Sequence, residues 1–394
     1  MTSTETRPTE GRPCEAGNNS GPLRAEWITT TGEFERLARE WMDLFQATGR
    51  ENAFLSFEWM FTWWKHWGGR HRLALIAVRD AQERLVGLAP LYIARGLGGR
   101  RLSFLADAHV GSDYLGILAR PECERPAVEA IARQVIGRRR EWDYVELRDA
   151  RDGPLLAALC AALEQTGMRA HKTPASVCHH IPLPASFDEY LAHISINLRS
   201  NFRRRWRVIQ RTAPTEFTAL TDSPDLEEGF PELIRLHGMR FEQRGEESAF
   251  LKRGVPEFHA DALKALAGRG WARLFLLRVG GEAVAALYGF SVGKTFQFYQ
   301  CGMHPAWLHM GVGQLMVGSS IQEAIRAGHC DFDFLRGDES YKAQWAEQSR
   351  QTVRVRLFDS RPASAVARAV FWLDSALRRV KHKVRPARSE KRAD

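Results

Sequence analysis

The feature that most restricts how this chain can fold is an order of elements that occurs twice along its 394 residues. In the first half, residues 31–46 and 57–67 carry apolar residues at three- and four-residue spacing, which predicts helices. Strand-like runs follow at 73–78, 85–93 and 101–105, then a helix at 122–138, a strand at 144–147, a helix at 154–166 and a closing strand near 176–181. The second half repeats the pattern with helices at 187–210, 226–241 and 256–266 and strands at 273–279, 283–290 and 295–301. Gly280-Gly281 and Gly293-Lys294 supply the hairpin turns. A helix at 312–327, a strand at 332–335, a short helix at 340–346 and a strand at 352–358 complete it. An α/β order found twice predicts a pseudo-duplicated protein of two tandem lobes, each a mixed sheet with flanking helices. Prolines 182 and 184 interrupt the pattern and place the boundary there, giving lobes at 26–182 and 183–360.

What flanks the lobes is of a different kind. Residues 1–25 are polar, rich in Thr, Pro, Gly and Asn, and lack an apolar signal segment, so they read as a disordered leader. Residues 361–380 place Val366, Val370, Leu373 and Leu377 on one face, an amphipathic helix whose simplest use is packing on the body. Residues 381–394 read as a basic disordered tail. From Arg361 onward ten basic residues face three acids, so this end carries +7 of the net charge of +9. That localisation argues against a nucleic-acid-binding body and suits contact with an acidic membrane surface. No run reaches the length of a membrane span, and six scattered cysteines without a C-x-x-C pair fit a reducing compartment, so a cytoplasmic protein is expected.

Chemistry concentrates in the second lobe. The loop 309–314, His-Met-Gly-Val-Gly-Gln, joins a strand to a helix. Its glycines let a ligand approach the backbone, and the first helical amides suit an anion such as a pyrophosphate. Downstream, residues 332–345 read Phe-Asp-Phe-Leu-Arg-Gly-Asp-Glu-Ser-Tyr-Lys-Ala-Gln-Trp. The aromatic block 54–67 recurs at helical spacing and reads as core before it reads as a sugar platform. Helix 197–211 holds six arginines, with Leu198, Phe202, Trp206 and Ile209 on its apolar face, which leaves the arginines facing solvent. His179, His180, His304 and His309 lack paired Asp, Glu or Cys at metal-ligand spacing, so no metal is expected.

The block 332–345 resembles the D-F-x-x-G-D-x-x-Y-K-x-x-W signature of acetyltransferase-like proteins associated with bacterial cellulose and exopolysaccharide synthesis. These form a branch of the GNAT superfamily related to the two-lobed Fem-type peptidyltransferases. The resemblance extends to residues 54–59 with Trp63 and Trp64, to Ala89-Pro90-Leu91-Tyr92, and to 237–241 with Gly245. It implies two GNAT-like lobes and an acyltransferase that moves acetyl from acetyl-CoA to an amine or hydroxyl of a sugar, an envelope precursor or a small molecule. Catalysis is expected at Asp333, whose carboxylate would take the acceptor's proton, and at Tyr341, which would protonate the departing thiolate. The coenzyme is expected on Gly311, Val312, Gly313 and Gln314, and the substrate on His237, Arg240, Tyr299, Arg336, Asp338 and Lys342. Leu308 stands where the family's pyrophosphate loop has Gln or Arg. Two alternatives follow: a Fem-like transferase using aminoacyl-tRNA, the one nucleic acid the resemblance admits, and a non-catalytic accessory protein of polysaccharide synthesis.

Overall fold

A computed structural model describes residues 22–96 and 98–384. The two expected α/β lobes are present, and they share one sheet of eleven strands among the described residues. From one edge the second lobe contributes Thr215–Leu220, Ala272–Val279, Glu282–Val292, Thr295–Met303 and Asp331–Arg336. Next comes Arg169–Pro182 of the first lobe, then Gln348–Phe358 of the second, and then the first lobe's Tyr144–Arg151, Gly99–Phe104, Leu91–Gly96 and Arg72–Leu73. The closing strand of each lobe is thus exchanged. Arg169–Pro182 runs antiparallel to both Asp331–Arg336 and Gln348–Phe358, and the latter runs antiparallel to Tyr144–Arg151.

A smaller sheet of Arg24–Ile28, Leu75–Arg79, Leu85–Ala89 and Leu118–Ala119 packs beside it. Here the expected strand 85–93 divides. Pro90 lacks an amide hydrogen for the ladder, and the chain passes from one sheet to the other at this residue. Three further expectations change. The leader ends earlier than expected, because Arg24 and Ala25 open a strand, and residues 1–21 lie outside the described residues. Strand Thr215–Leu220 was not expected, and the closing strand of the first lobe begins at Arg169, seven residues before 176. The C-terminal helix spans Pro362–Val384, and residues 385–394 of the expected tail lie outside the described residues.

Local chemistry accounts for the boundaries. Ser56, Ser186 and Ser195 accept hydrogen bonds from the first turns of the helices that follow them. Gly280 and Gly281, at φ 59 and 86, make the tight turn between Ala272–Val279 and Glu282–Val292. Helix Phe57–Trp67 buries Trp59, Met60, Trp63 and Trp64, so the aromatic block is core. Trp59 packs against Phe54 of its own lobe and Phe258, Phe290 and Tyr299 of the other, with ring centres 4.9–5.7 Å apart. One apolar core therefore spans both lobes.

Because the closing strand of each lobe pairs with strands of the other, residues 22–182 and 183–384 expressed separately should each lose three strand pairings and fail to fold. Circular dichroism and solubility are expected to show this, and co-expression of the two pieces should restore a folded, one-to-one complex.

Candidate active site

Strands Thr295–Met303 and Asp331–Arg336 run parallel, but they pair only over Thr295–Gln297 and Asp331–Asp333. Two irregularities then drive them apart. In the first strand Tyr299 is bulged, because Phe298 pairs with Gly289 and Gln300 with Tyr288. In the second, Leu335 takes a left-handed conformation at φ 55, and Arg336 pairs across to Cys178. The wedge between them opens a cavity of about 190 Å³. Phe298, Cys301 and Met303 form one wall, Gly313, Gln314 and Val317 of helix Val312–Arg326 a second, and Tyr341 and Trp345 of helix Ser340–Trp345 a third, with Arg240 and Arg244 also lining it. A neighbouring cavity of about 400 Å³ shares Gln314 and Trp345 and continues along helix Ile196–Thr212 past Asn197 and Asn201.

Tyr341 is half-buried here, and burial holds its phenol well above the ordinary range, so the hydroxyl is a proton donor at neutral pH. Among the described residues the buried Oε1 of Gln314 has no hydrogen-bond partner. The helix begins at Gly311, whose φ of 72 favours glycine. A Cβ at Gly311 would collide with the guanidinium of Arg205, and one at Gly313 with the Met303 sulfur. Arg205 thus lies over the start of the helix, with Nη1 donating to the His309 carbonyl at 3.5 Å and Nε buried without a partner. Burial and the neighbouring Arg204 lower its pKa. The expectation that all six arginines face solvent fails at this residue. Leu198, Phe202, Arg205 and Ile209 recur at four-, three- and four-residue spacing, a pattern that marks Arg205 as part of the packed face.

Asp333 does not reach Tyr341. Phe332 and Phe334 point toward the wedge core, while Asp331 and Asp333 line a separate polar cavity of about 390 Å³ on the other face, with Asn52, Tyr114 and Arg350. Asp333 is 2% exposed and accepts from the Tyr114 hydroxyl at 2.8 Å, Arg350 at 3.1 Å and the Leu335 amide at 2.7 Å. Burial raises its pKa, and those three donors offset part of the rise. Its carboxylate holds the left-handed turn at Leu335 from the side away from Tyr341.

Of the expected substrate contacts, Arg336, Lys342, Tyr299 and His237 have partners within the protein. Arg336 donates from its amide and Nε to Asp113 at 2.9 and 2.7 Å, from Nη2 to the Ser112 carbonyl, and meets Asp149 at 3.3 Å. Burial pushes the Asp113 carboxyl up to about 6 against the pull of Arg336. Lys342, 4% exposed, bonds the Arg336 carbonyl at 2.7 Å and Glu339 at 2.9 Å, closing the turn around Gly337. The Tyr299 hydroxyl donates to the Val110 carbonyl on the first-lobe side of the sheet. Asp338 is exposed and faces His179 at 3.2 Å. His237 is buried between Ser248 at 2.8 Å and Gln300 at 3.1 Å. Arg240 alone of these six lines the wedge cavity, while its Nη1 bonds the Cys301 carbonyl at 2.9 Å. Among the described residues no cluster of three metal-ligating side chains occurs.

Residues 197–343 match a family model described as acetyltransferase (GNAT) domain. In fold the chain is similar to FemX, with 12% identity, a TM-score of 0.58, and coverage of 84% of this chain and 96% of that one. It is also similar to the C-terminal domain of a putative lysylphosphatidylglycerol synthetase from Agrobacterium fabrum, with 12% identity, a TM-score of 0.52, and coverage of 88% and 97%. L-PGS from Bacillus licheniformis gives 13% identity, a TM-score of 0.51, and coverage of 84% and 95%. A sequence search of curated proteins finds no match. The chain thus shares the overall fold of these structures, and the acetyltransferase-domain match lies within the lobe that holds the wedge.

Burial lowers His237 to about 4 and the adjacent His259 to about 3, from an ordinary value near 6.5. Both are neutral in the folded state, whereas the unfolded chain takes up their protons below about pH 6.5, so stability should fall as pH drops from there toward 4. His237 contributes up to about 3 kcal/mol of this loss. In urea unfolding, His259→Phe is expected to flatten the pH dependence in that window by about one proton.

Proposed function

We propose that this chain is an acyltransferase acting in the second-lobe wedge, with acetyl-CoA as donor and an amine or hydroxyl of a sugar, envelope precursor or small molecule as acceptor. The observation that carries this reading is convergence. A protonated tyrosine, an unpartnered amide oxygen and the amino end of a fifteen-residue helix meet at one mostly apolar cavity in the splay of a parallel strand pair.

The residues suit the donor at both ends. The apolar walls fit an acyl group and the slender arm behind it. At the helix start, Arg205 is a cation at the positive end of a helix dipole, with no acidic partner among the described residues. That arrangement is unfavourable alone and becomes favourable with a phosphate between guanidinium and amides. Arg205 thus supplies the side-chain donor missing at Leu308, reaching in from the preceding helix. A thioester donor supplies an activated carbonyl, whose C–S bond breaks as the acceptor's nitrogen or oxygen bonds to the carbonyl carbon. Tyr341 gives its proton to the departing sulfur, and the acceptor's proton returns through solvent to the phenolate. Arg240 and Arg244 at the mouth favour an acceptor with an anionic group near the reacting atom.

A second reading, aminoacyl transfer from tRNA, is favoured by one observation: Arg203, Arg204, Arg207 and Arg211 are exposed along the helix that supplies Arg205. Titration with acetyl-CoA and with tRNA separates the two readings, since binding of the first alone supports acetyl transfer.

Tyr341→Phe is expected to leave the melting temperature and donor affinity unchanged and to slow turnover by roughly 10²-fold, the range for loss of a general acid. An equally active variant would move the chemistry elsewhere. Arg205→Gln is expected to raise the KM for acetyl-CoA at least about tenfold. The same change should leave turnover of a short acetyl thioester without phosphates unaffected, which separates anion binding from a folding defect.

A further inference from the structure

The C-terminal helix Pro362–Val384 packs on the body by the face opposite to the one its pattern favours. Ser364 and Ala367 are buried, and Phe371 lies against Phe358 and under the Arg356 guanidinium, 3.9 Å from the ring centre. The apolar stripe is left outside. Val366 is 61% and Leu373 65% exposed, with Val370 half-buried between them, while Trp372 packs edge-on against His171 of the body. In sequence the same three- and four-residue apolar spacing continues through Leu377, Val380 and Val384. Arg368, Arg378, Arg379, Lys381 and Lys383 occupy other positions around the same helix, within the terminal stretch that carries +7.

From this face we infer that the helix docks the protein on an anionic lipid surface, lying in the interface with its stripe among the acyl chains. Charge complementarity selects this occupant. A protein partner of ordinary composition would be met by a row of like charges, whereas anionic headgroups meet the flanking lysines and arginines while the stripe is buried just beneath them. No described helix is long and apolar enough to cross a membrane, so the contact is peripheral. Attachment by one such helix is reversible and weakens with salt. The inference does not depend on the acyltransferase reading, because the helix contributes nothing to the lining of the wedge.

The test uses the full chain and sedimentation with two kinds of vesicle, phosphatidylcholine alone and phosphatidylcholine mixed with phosphatidylglycerol. Wild type should bind the phosphatidylglycerol vesicles at least about tenfold more tightly than the neutral ones, and the difference should shrink in high salt. Val366→Glu with Leu373→Glu places charge on two exposed positions, so the melting temperature should hold while vesicle binding falls at least about tenfold. Replacing Arg378, Arg379, Lys381 and Lys383 by Gln should remove the preference for phosphatidylglycerol. The inference fails if wild type does not bind anionic vesicles, or if the double glutamate variant binds them equally well. It also fails if wild type is a dimer in solution that the glutamate variant converts to monomer, which would assign the stripe to a second copy of the chain.

Discussion

Strand Arg169–Pro182 belongs to the first lobe by sequence, yet it is hydrogen-bonded on both sides by strands of the second. Everything at the wedge depends on this exchange. A parallel pair that splays after three residues leaves two strand ends short of partners. Here Asp331–Arg336 meets Arg169–Pro182 on the side away from the splay, so its backbone stays paired while its neighbour departs. Gln348–Phe358 then returns on the far side of the same strand, and helix Ser340–Trp345, which carries Tyr341, is strung between two strands that both grip Arg169–Pro182. Tyr341 is held by the junction of the lobes as much as by its own.

The charged residues around this junction serve as its fastening. Arg336 joins Asp113 and Asp149 of the first lobe, Arg350 joins Asp331 and Asp333, and His180 meets Asp331 at 2.8 Å. Buried ion pairs return little net stability once desolvation is counted, but removing one partner leaves a stranded charge at a cost of roughly 3–5 kcal/mol. Such a network penalises any other register of the exchanged strands more than it favours the native one. The block 332–345 therefore has two layers: its ionisable members set the path of the chain, and Tyr341 and Trp345 face the cavity.

How much of this could be read from the sequence follows from which forces are local. Helices and most strands were legible because apolar spacing and caps act within a few residues. Thr215–Leu220 was not, since all but one of its residues are only half-buried and it shows no clean alternation. The first seven residues of Arg169–Pro182 lack an apolar alternation and are mostly exposed, and only pairing with a strand some 180 residues later makes them a strand. The alternation of Asp331, Phe332, Asp333 and Phe334 was also legible, but not which face the cleft occupies. That choice rests on Tyr114 and Arg350, distant partners that claim the carboxylate side. In the same way, the C-terminal stripe was readable as amphipathic, while the cation over Phe371 that turns it outward was not.

The first lobe carries a counterpart of the splayed strand pair. In the first lobe Gly99–Phe104 pairs in parallel with Tyr144–Arg151 over Arg101–Leu102 and then diverges, as its counterpart does. Part of the gap is taken by its own chain, since Leu105, Val110, Leu115 and Ile117 are buried and Leu115 bridges to Ala150, and a cavity of about 160 Å³ remains between Phe104, Ile117, Arg151 and helix Pro154–Glu164. The helix that follows opens through Pro121–Cys123 with Glu122 and Glu124 in its first turns, so acidic side chains already complement its dipole. The inserted segment includes Ser112, Asp113 and Tyr114, the groups that hold Arg336 and Asp333 across the junction. The segment that narrows the first lobe's splay thus also fixes the turn from which the second lobe's helix Ser340–Trp345 departs.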